Sequence, residues 1–316
     1  MTEKLLVLND LSAEKKTELI DRFKTVEFSF TNPKDVTDEE LARATIIWGN
    51  LHPKRLHNQL DKLKWIQLCS AGYDAYSKPD LLPEQTTLTN AKGAYGLTVA
   101  EHTLATTMMA MRKLHLYHKN QLTHNWKNEG KIKSIYGSKV GIIGLGDIGR
   151  NIAEKFSGLG SEIVGFYKSD KVSFPFVKEV RTVDNIADKV SDLDVLILCV
   201  PAMASNYHLV DSKLLANMKS DAILVNVGRG SLVDLEALCT HMKHEDEFAA
   251  VLDVTEPEPL PENHEAWDLK NIIITPHVAG GFDLDETFNK YMEIAENNLE
   301  KFLKEDPLSN VVIKGF

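Results

Sequence analysis

Only three cysteines occur in 316 residues, Cys69, Cys199 and Cys239, and no two of them form a CxxC pair. A disulfide framework and a cysteine-built zinc site are therefore excluded, no metal is expected, and the chain fits a reducing cytoplasm. Long apolar runs are missing as well. None approaches the roughly 20 residues that a membrane span needs. The opening MTEKLLVLND holds four consecutive apolar residues, Leu5 to Leu8, too few for a signal-peptide core. Membrane association is not expected. Basic runs are also lacking. Lys and Arg number 36 against 46 Asp and Glu, a net charge of −10, and an acidic surface is a poor partner for a phosphate backbone, so no nucleic acid is expected. No internal repeat or low-complexity tract breaks the chain.

What is present reads as an α/β protein. The length suggests two domains. Nine apolar runs look like strands: 4–9, 44–49, 63–70, 139–144, 162–167, 193–200, 222–227, 249–254 and 271–276. They are continuous rather than alternating, as in strands covered on both faces of a parallel sheet. Helical patterns such as 11–24 and 232–243 lie between them, which implies βαβ units in doubly wound sheets. Residues 96–122 contain no proline and only one glycine, at their start. They predict one long helix.

The run KVGIIGLGDIGRNIAEKF (139–156) is a strand, a GxGxxG turn and an amphipathic helix. In that context the turn predicts a bound dinucleotide. Gly144 permits the tight turn, Gly146 lets the backbone approach a pyrophosphate, and Gly149 allows close helix–strand packing. Asp147 and Ile148 open the helix, whose N-terminal amides face the phosphates. The acidic ribose anchor expected about 20 residues on is absent. The second strand instead ends in Tyr167, Lys168 and Ser169. A cation and a hydroxyl suit a 2′-phosphate, so NADP(H) is favoured as cofactor, with NAD(H) the alternative through Asp170.

Three further strand ends carry unusual residues. Arg229 sits between two glycines after 222–227, Glu256 and Glu258 lie in the loop TEPEPLP, and His277 ends NIIITPH. Ligands of open α/β sheets bind at the carboxyl ends of strands. A guanidinium, a carboxylate and an imidazole converging there suit hydride addition to a carbonyl: a planar cation binds a carboxylate, and an imidazole protonates the developing oxyanion. A carboxylate beside an imidazole stabilises its protonated form. The residues alone leave open which glutamate does this.

GLGDIG, NVGRGSLVD, LDVTEPEPLP and TPHVAGG, in this order, make the chain resemble the D-isomer-specific 2-hydroxyacid dehydrogenases. CSAGYD (69–74) and TVAEH (98–102) resemble that family's substrate loop and helix entrance, and the resemblance covers nearly the whole chain. It implies a Rossmann dinucleotide-binding domain, 101–283, inserted in a flavodoxin-like substrate domain, 1–100 and 284–316, with the reaction in the cleft between them. It implies reduction of a small 2-keto acid to the D-2-hydroxy acid by NAD(P)H. Arg229 binds the substrate carboxylate, His277 donates the proton, and Glu258, just before PLP, is the histidine's partner. Ala71, Gly72 and Tyr73 hold the substrate, Asp253 bonds the nicotinamide carboxamide, and Val200 and Pro201 line the adenosine side. A homodimer is implied through the helix near 98–120.

The chain departs from the family pattern at Met203 and Asn206, where threonines are usual, and at the missing ribose acid. The alternative readings are a dinucleotide-sensing corepressor on the same fold and a short phosphoglycerate dehydrogenase-like enzyme. Glu258 speaks against a formate dehydrogenase, which needs glutamine there.

Overall fold

The computed structural model describes residues 2–56, 60–76, 78 and 81–313. The chain divides into two compact units, one running to Ala94 and resuming at Asp285, the other spanning Tyr95–Leu284. The second unit starts before the boundary expected at 100/101 because the helix that opens it, α3 (Gly96–Met111), belongs to it whole.

The first unit is built on five parallel strands, β1 (Glu3–Val7), β2 (Val26–Phe30), β3 (Ile46–Trp48), β4 (Trp65–Gln67) and β5 (Thr87–Thr89), in the order β2-β1-β3-β4-β5. That is the flavodoxin-like order. Helix α1 (Ala13–Arg22) is capped by Ser12, and α2 (Asp38–Arg43) starts with a Thr37–Glu40 capping box. The last helix, α8 in chain order (Asp285–Leu303), returns to this unit. Its Tyr291 hydroxyl donates to Asn9 at 2.7 Å, and Asn298 Nδ2 donates to Gln67 Oε1 at 2.9 Å.

The second unit holds seven parallel strands: β6 (Lys139–Ile143), β7 (Glu162–Tyr167), β8 (Glu179–Thr182), β9 (Val195–Leu198), β10 (Ile223–Asn226), β11 (Ala249–Leu252) and β12 (Ile272–Ile274). Their order is β12-β11-β10-β9-β6-β7-β8. The chain winds outward from β6 through β7 and β8, then crosses back to β9 and winds the other way. The reversal lies between β6 and β9, where a doubly wound sheet binds its ligand. Residues of β9 and β10 are buried throughout, which explains their continuous apolar runs. Helices α5 (Asp147–Gly158), α6 (Ser212–Asn217) and α7 (Leu235–His244) complete the unit together with α3.

The long helix expected over 96–122 is two helices. After α3, Lys113 takes a left-handed conformation at φ 55°, and α4 (Leu114–Leu122) starts anew. Lys113 Nζ donates to the Glu129 carbonyl at 3.0 Å and to Glu247 Oε2 at 3.1 Å. Tertiary bonds hold a break there that no glycine or proline announces.

Candidate active site

The glycine turn has the shape its sequence demands. Gly144 sits at φ +100°, and a Cβ there would lie 2.6 Å from Val200 Cγ1 and 2.9 Å from the Cys199 carbonyl oxygen. A Cβ on Gly149 would come within 1.8 Å of the Gly144 carbonyl oxygen. These two positions tolerate only glycine because backbone meets backbone. Gly146 differs: a Cβ there would meet no protein atom within 4 Å, and as N-cap of α5 it supplies no side-chain cap. The first-turn amides of a helix lack intrahelical acceptors, and here they open beside clear space. A pyrophosphate fits this cradle. Asp147 turns elsewhere: its carboxylate lies against Gly96 of α3 and accepts from Asn151 Nδ2 at 3.4 Å.

At the end of β7, Tyr167 packs edge-on against Phe174, Lys168 is exposed, and the Ser169 hydroxyl accepts from the Lys171 amide at 3.2 Å. Among the described residues neither Lys168 nor Asp170 forms an ion pair. Val200 packs between the glycine turns after β6 and β10, since a Cβ on Gly228 would sit 2.8 Å from its carbonyl oxygen. Pro201 is exposed beyond it. Asn206 closes that loop, its side chain accepting from the Met203 amide and donating to the Pro201 carbonyl.

After β10 the chain turns sharply to present Arg229. Asn226, fully buried, organises the turn: its Nδ2 donates to the Arg229 carbonyl at 2.8 Å and its Oδ1 accepts from the Gly228 amide at 3.1 Å. Arg229 itself is half-buried, with one guanidinium nitrogen donating to the Gly228 carbonyl at 2.7 Å. Gly230 presses this turn onto the one after β11, for a Cβ there would lie 2.0 Å from the Thr255 carbonyl oxygen. The loops that carry Arg229 and the two glutamates are thus packed backbone to backbone.

Three residues past β12, His277 takes a left-handed conformation at φ 55°, rare for a residue other than glycine. Its Nδ1 lies 2.6 Å from Glu258 Oε1, with the two side chains 47% and 43% exposed. Glu256 points to another histidine, its Oε2 standing 3.5 Å from His208 Nε2. The histidine–carboxylate pair is therefore His277 with Glu258. With Nδ1 directed to the carboxylate, Nε2 is the ring's remaining nitrogen.

Asp253 is 3% exposed. Its carboxylate, which the resemblance directs to a nicotinamide carboxamide, accepts three donors from the protein: Thr275 Oγ1 at 2.6 Å, the Val278 amide at 2.9 Å and the Ala279 amide at 3.0 Å. Its carbonyl also accepts from the His277 amide at 2.8 Å. The turn that carries His277 is wound around this one residue. Sequence reasoning missed Asn226, Thr275 and His102, which meets Thr275 (Nε2 to Oγ1 3.2 Å). Each lies inside a stretch already singled out, Asn226 in NVGRGSLVD, Thr275 in TPHVAGG and His102 in TVAEH, but nothing in those stretches shows which side chains bond to one another.

In the first unit, the loop after β4 carries Ala71, Gly72 and Tyr73. Its carbonyls are taken up: Asn90 Nδ2 donates to the Ala71 oxygen at 2.7 Å, the Ser70 hydroxyl to the Gly72 oxygen at 2.6 Å, and the Tyr76 amide to the Tyr73 oxygen at 2.8 Å. Among the described residues, the amides of Ala71, Gly72 and Tyr73 have no protein acceptor. Also among the described residues, no helix is long and apolar enough to cross a membrane, and no three His, Cys, Asp or Glu side chains group as metal ligands.

An all-parallel doubly wound sheet with a glycine cradle at its switch point defines a dinucleotide-binding protein of the Rossmann class. Residues 104–279, more than half of the chain, match the D-isomer specific 2-hydroxyacid dehydrogenase, NAD binding domain. The chain belongs to the D-isomer specific 2-hydroxyacid dehydrogenase family. It is 30% identical over 263 residues to a glyoxylate reductase of Korarchaeum cryptofilum, covering 79% of this chain and 76% of that one. It is 29% identical over 330 residues to a glycerate dehydrogenase of Methylorubrum extorquens, covering 99% of each. The crystal structure of a family protein from Aeromonas salmonicida superimposes with a TM-score of 0.86 at 25% identity, over 99% of both chains.

Proposed function

We propose that this protein reduces a small 2-keto acid, of the glyoxylate or hydroxypyruvate kind, to the D-2-hydroxy acid, with NADP(H) preferred to NAD(H). The observation that carries the reading is the 2.6 Å contact of His277 Nδ1 with Glu258 Oε1, the glutamate lying on the loop packed against the one that presents Arg229.

The reduced nicotinamide, when bound, supplies the hydride that C2 of the keto acid accepts. Charge then develops on the former carbonyl oxygen, and His277 Nε2 hands it a proton. Glu258 fixes the ring's orientation and balances its charge in the protonated form. Arg229 pairs with the substrate carboxylate and polarises the keto oxygen, a planar two-point task. In the first unit, the amides of Ala71, Gly72 and Tyr73, without a protein acceptor among the described residues, are available to a substrate anion. Amides at the start of α5, around Gly146, Asp147 and Ile148, hold the pyrophosphate, while Val200 and Pro201 line the adenosine. Lys168 and Ser169 suit a 2′-phosphate: among the described residues the lysine forms no ion pair, and β7 ends in Tyr167 rather than in an acid.

The end of α4 and the stretch after it support a homodimer. Leu122, Trp126 and Tyr136 are 69%, 105% and 79% exposed, and apolar surface of this kind marks contact with a partner.

A panel of 2-keto acids, 3-phosphohydroxypyruvate included, assayed with NADPH and NADH tests the reading. Turnover of glyoxylate or hydroxypyruvate, with higher kcat/KM for NADPH, is expected. Cofactor binding without turnover of any keto acid would leave a dinucleotide sensor instead.

A further inference from the structure

His277 is held in a left-handed conformation, which a non-glycine residue keeps only where its surroundings enforce it. The enforcing bonds radiate from Asp253 to Thr275, His277, Val278 and Ala279. The chain of bonds does not stop there. Thr275 Oγ1 gives its only hydrogen to Asp253 Oδ1 at 2.6 Å, so a lone pair faces His102 Nε2 at 3.2 Å. His102 must then carry hydrogen on Nε2 and donate. Its own backbone is fixed in α3, where its carbonyl accepts from the Thr106 hydroxyl at 2.7 Å. His102 Nε2 also stands 3.9 Å from Asp253 Oδ1. Three elements thus meet: His102 from α3, Asp253 from the end of β11 and Thr275 from the end of β12.

We propose that His102 and Thr275 are positioning residues, which through Asp253 hold the turn of His277 so that its ring meets Glu258 and aims Nε2 at the substrate. This rests on the reading of His277 as proton donor. Both are assigned here to Asp253 and its turn, not to substrate or cofactor. Thr275 saturates the Asp253 oxygen that also receives the Val278 amide, and His102 orients the threonine hydroxyl toward it. Without them the buried carboxylate lacks a donor and the turn relaxes toward ordinary backbone angles.

The test uses the full chain with two variant pairs. Thr275→Val removes the hydroxyl at nearly constant shape, and Thr275→Ser restores it. His102→Met removes the donor, and His102→Gln returns an N–H near the Nε2 position. Misplacing a reacting group by about 1 Å costs up to about a hundredfold, so Thr275→Val and His102→Met are expected to lower kcat about ten- to a hundredfold with KM for cofactor and keto acid near wild type. Ser and Gln recover most of the loss. A general loosening would instead raise KM and give no such rescue. The amides of Val278 and Ala279 are read in parallel by hydrogen exchange, with faster exchange expected in Val and Met but not in Ser and Gln. Wild-type kcat in Thr275→Val and His102→Met, in an enzyme that turns over, overturns the proposal. Should the wild type reduce no keto acid, the functional reading falls by itself. Exchange then decides: unchanged exchange at Val278 and Ala279 in His102→Met overturns the clasp, and faster exchange upholds it.

Discussion

Gly146→Ala separates cofactor binding from folding in one residue. The backbone at Gly146, φ −74° and ψ −156°, is extended and open to alanine, and the added Cβ meets no protein atom within 4 Å. A Gly→Ala change at a compatible site stabilises by about 0.4–1 kcal/mol. In a unit of this size that raises Tm by roughly 1–4 °C. Under the proposed reading, a pyrophosphate would approach the amides of α5 through the space beside Gly146. A methyl there costs at least one charge-assisted hydrogen bond, about 1.5–3 kcal/mol, or roughly ten- to a hundredfold in Kd at 1.4 kcal/mol per decade. Gly149→Ala is the contrast: its Cβ would lie 1.8 Å from the Gly144 oxygen, so the backbone must move, and overpacking of this kind costs about 1–3 kcal/mol or more. Thermal unfolding with and without NADPH, together with a fluorescence titration, reads both quantities. A Gly146→Ala protein that binds NADPH as wild type does would refute the assignment of the cradle.

Three further outcomes are expected. Lys168→Asp replaces a cation with an anion at the end of β7 and should lower kcat/KM for NADPH while leaving NADH nearly untouched; steady-state kinetics with both cofactors checks it, and an unchanged ratio sinks the 2′-phosphate reading. Burial pushes the His115 imidazole below its usual 6.5, so the unfolded chain binds the extra proton first and stability drains away as pH falls below about 6.5; His115→Leu should flatten that part of the urea-stability profile relative to wild type. Trp126→Glu puts a charge on the exposed stretch after α4 and should shift the chain from dimer to monomer in light scattering, with the secondary structure kept.

Much of the fold was legible because its central strands are buried on both faces and read as unbroken apolar runs. The strands that were missed, β2, β5 and β8, all lie at sheet edges. Val26–Phe30 alternates buried with exposed residues, and Glu179–Thr182 has no fully buried position, so neither makes an apolar run. The break at Lys113 was hidden for another reason: side-chain bonds to Glu129 and Glu247, distant in sequence, hold a left-handed lysine where local propensity favours helix. At the site, glycines, Arg229 and His277 announced themselves at strand ends. The residues alone left Glu256 and Glu258 both open and the resemblance chose Glu258; in the structure the two, two apart in a proline-rich loop, point to different histidines, Glu258 to His277 and Glu256 to His208. Asp253 was noticed as an acid in an apolar stretch, but the partners that give it its work, Thr275 and His102, come from 22 and 151 residues away.

In the proposed reaction His277, held by Glu258, protonates the oxygen of a 2-keto acid as hydride arrives. Its most direct test is the turnover of His277→Gln beside its NADPH affinity. General acid catalysis contributes about 10²- to 10⁴-fold, so kcat for glyoxylate or hydroxypyruvate should fall by that much while Kd for NADPH stays at the wild-type value. Full turnover by His277→Gln would contradict the account.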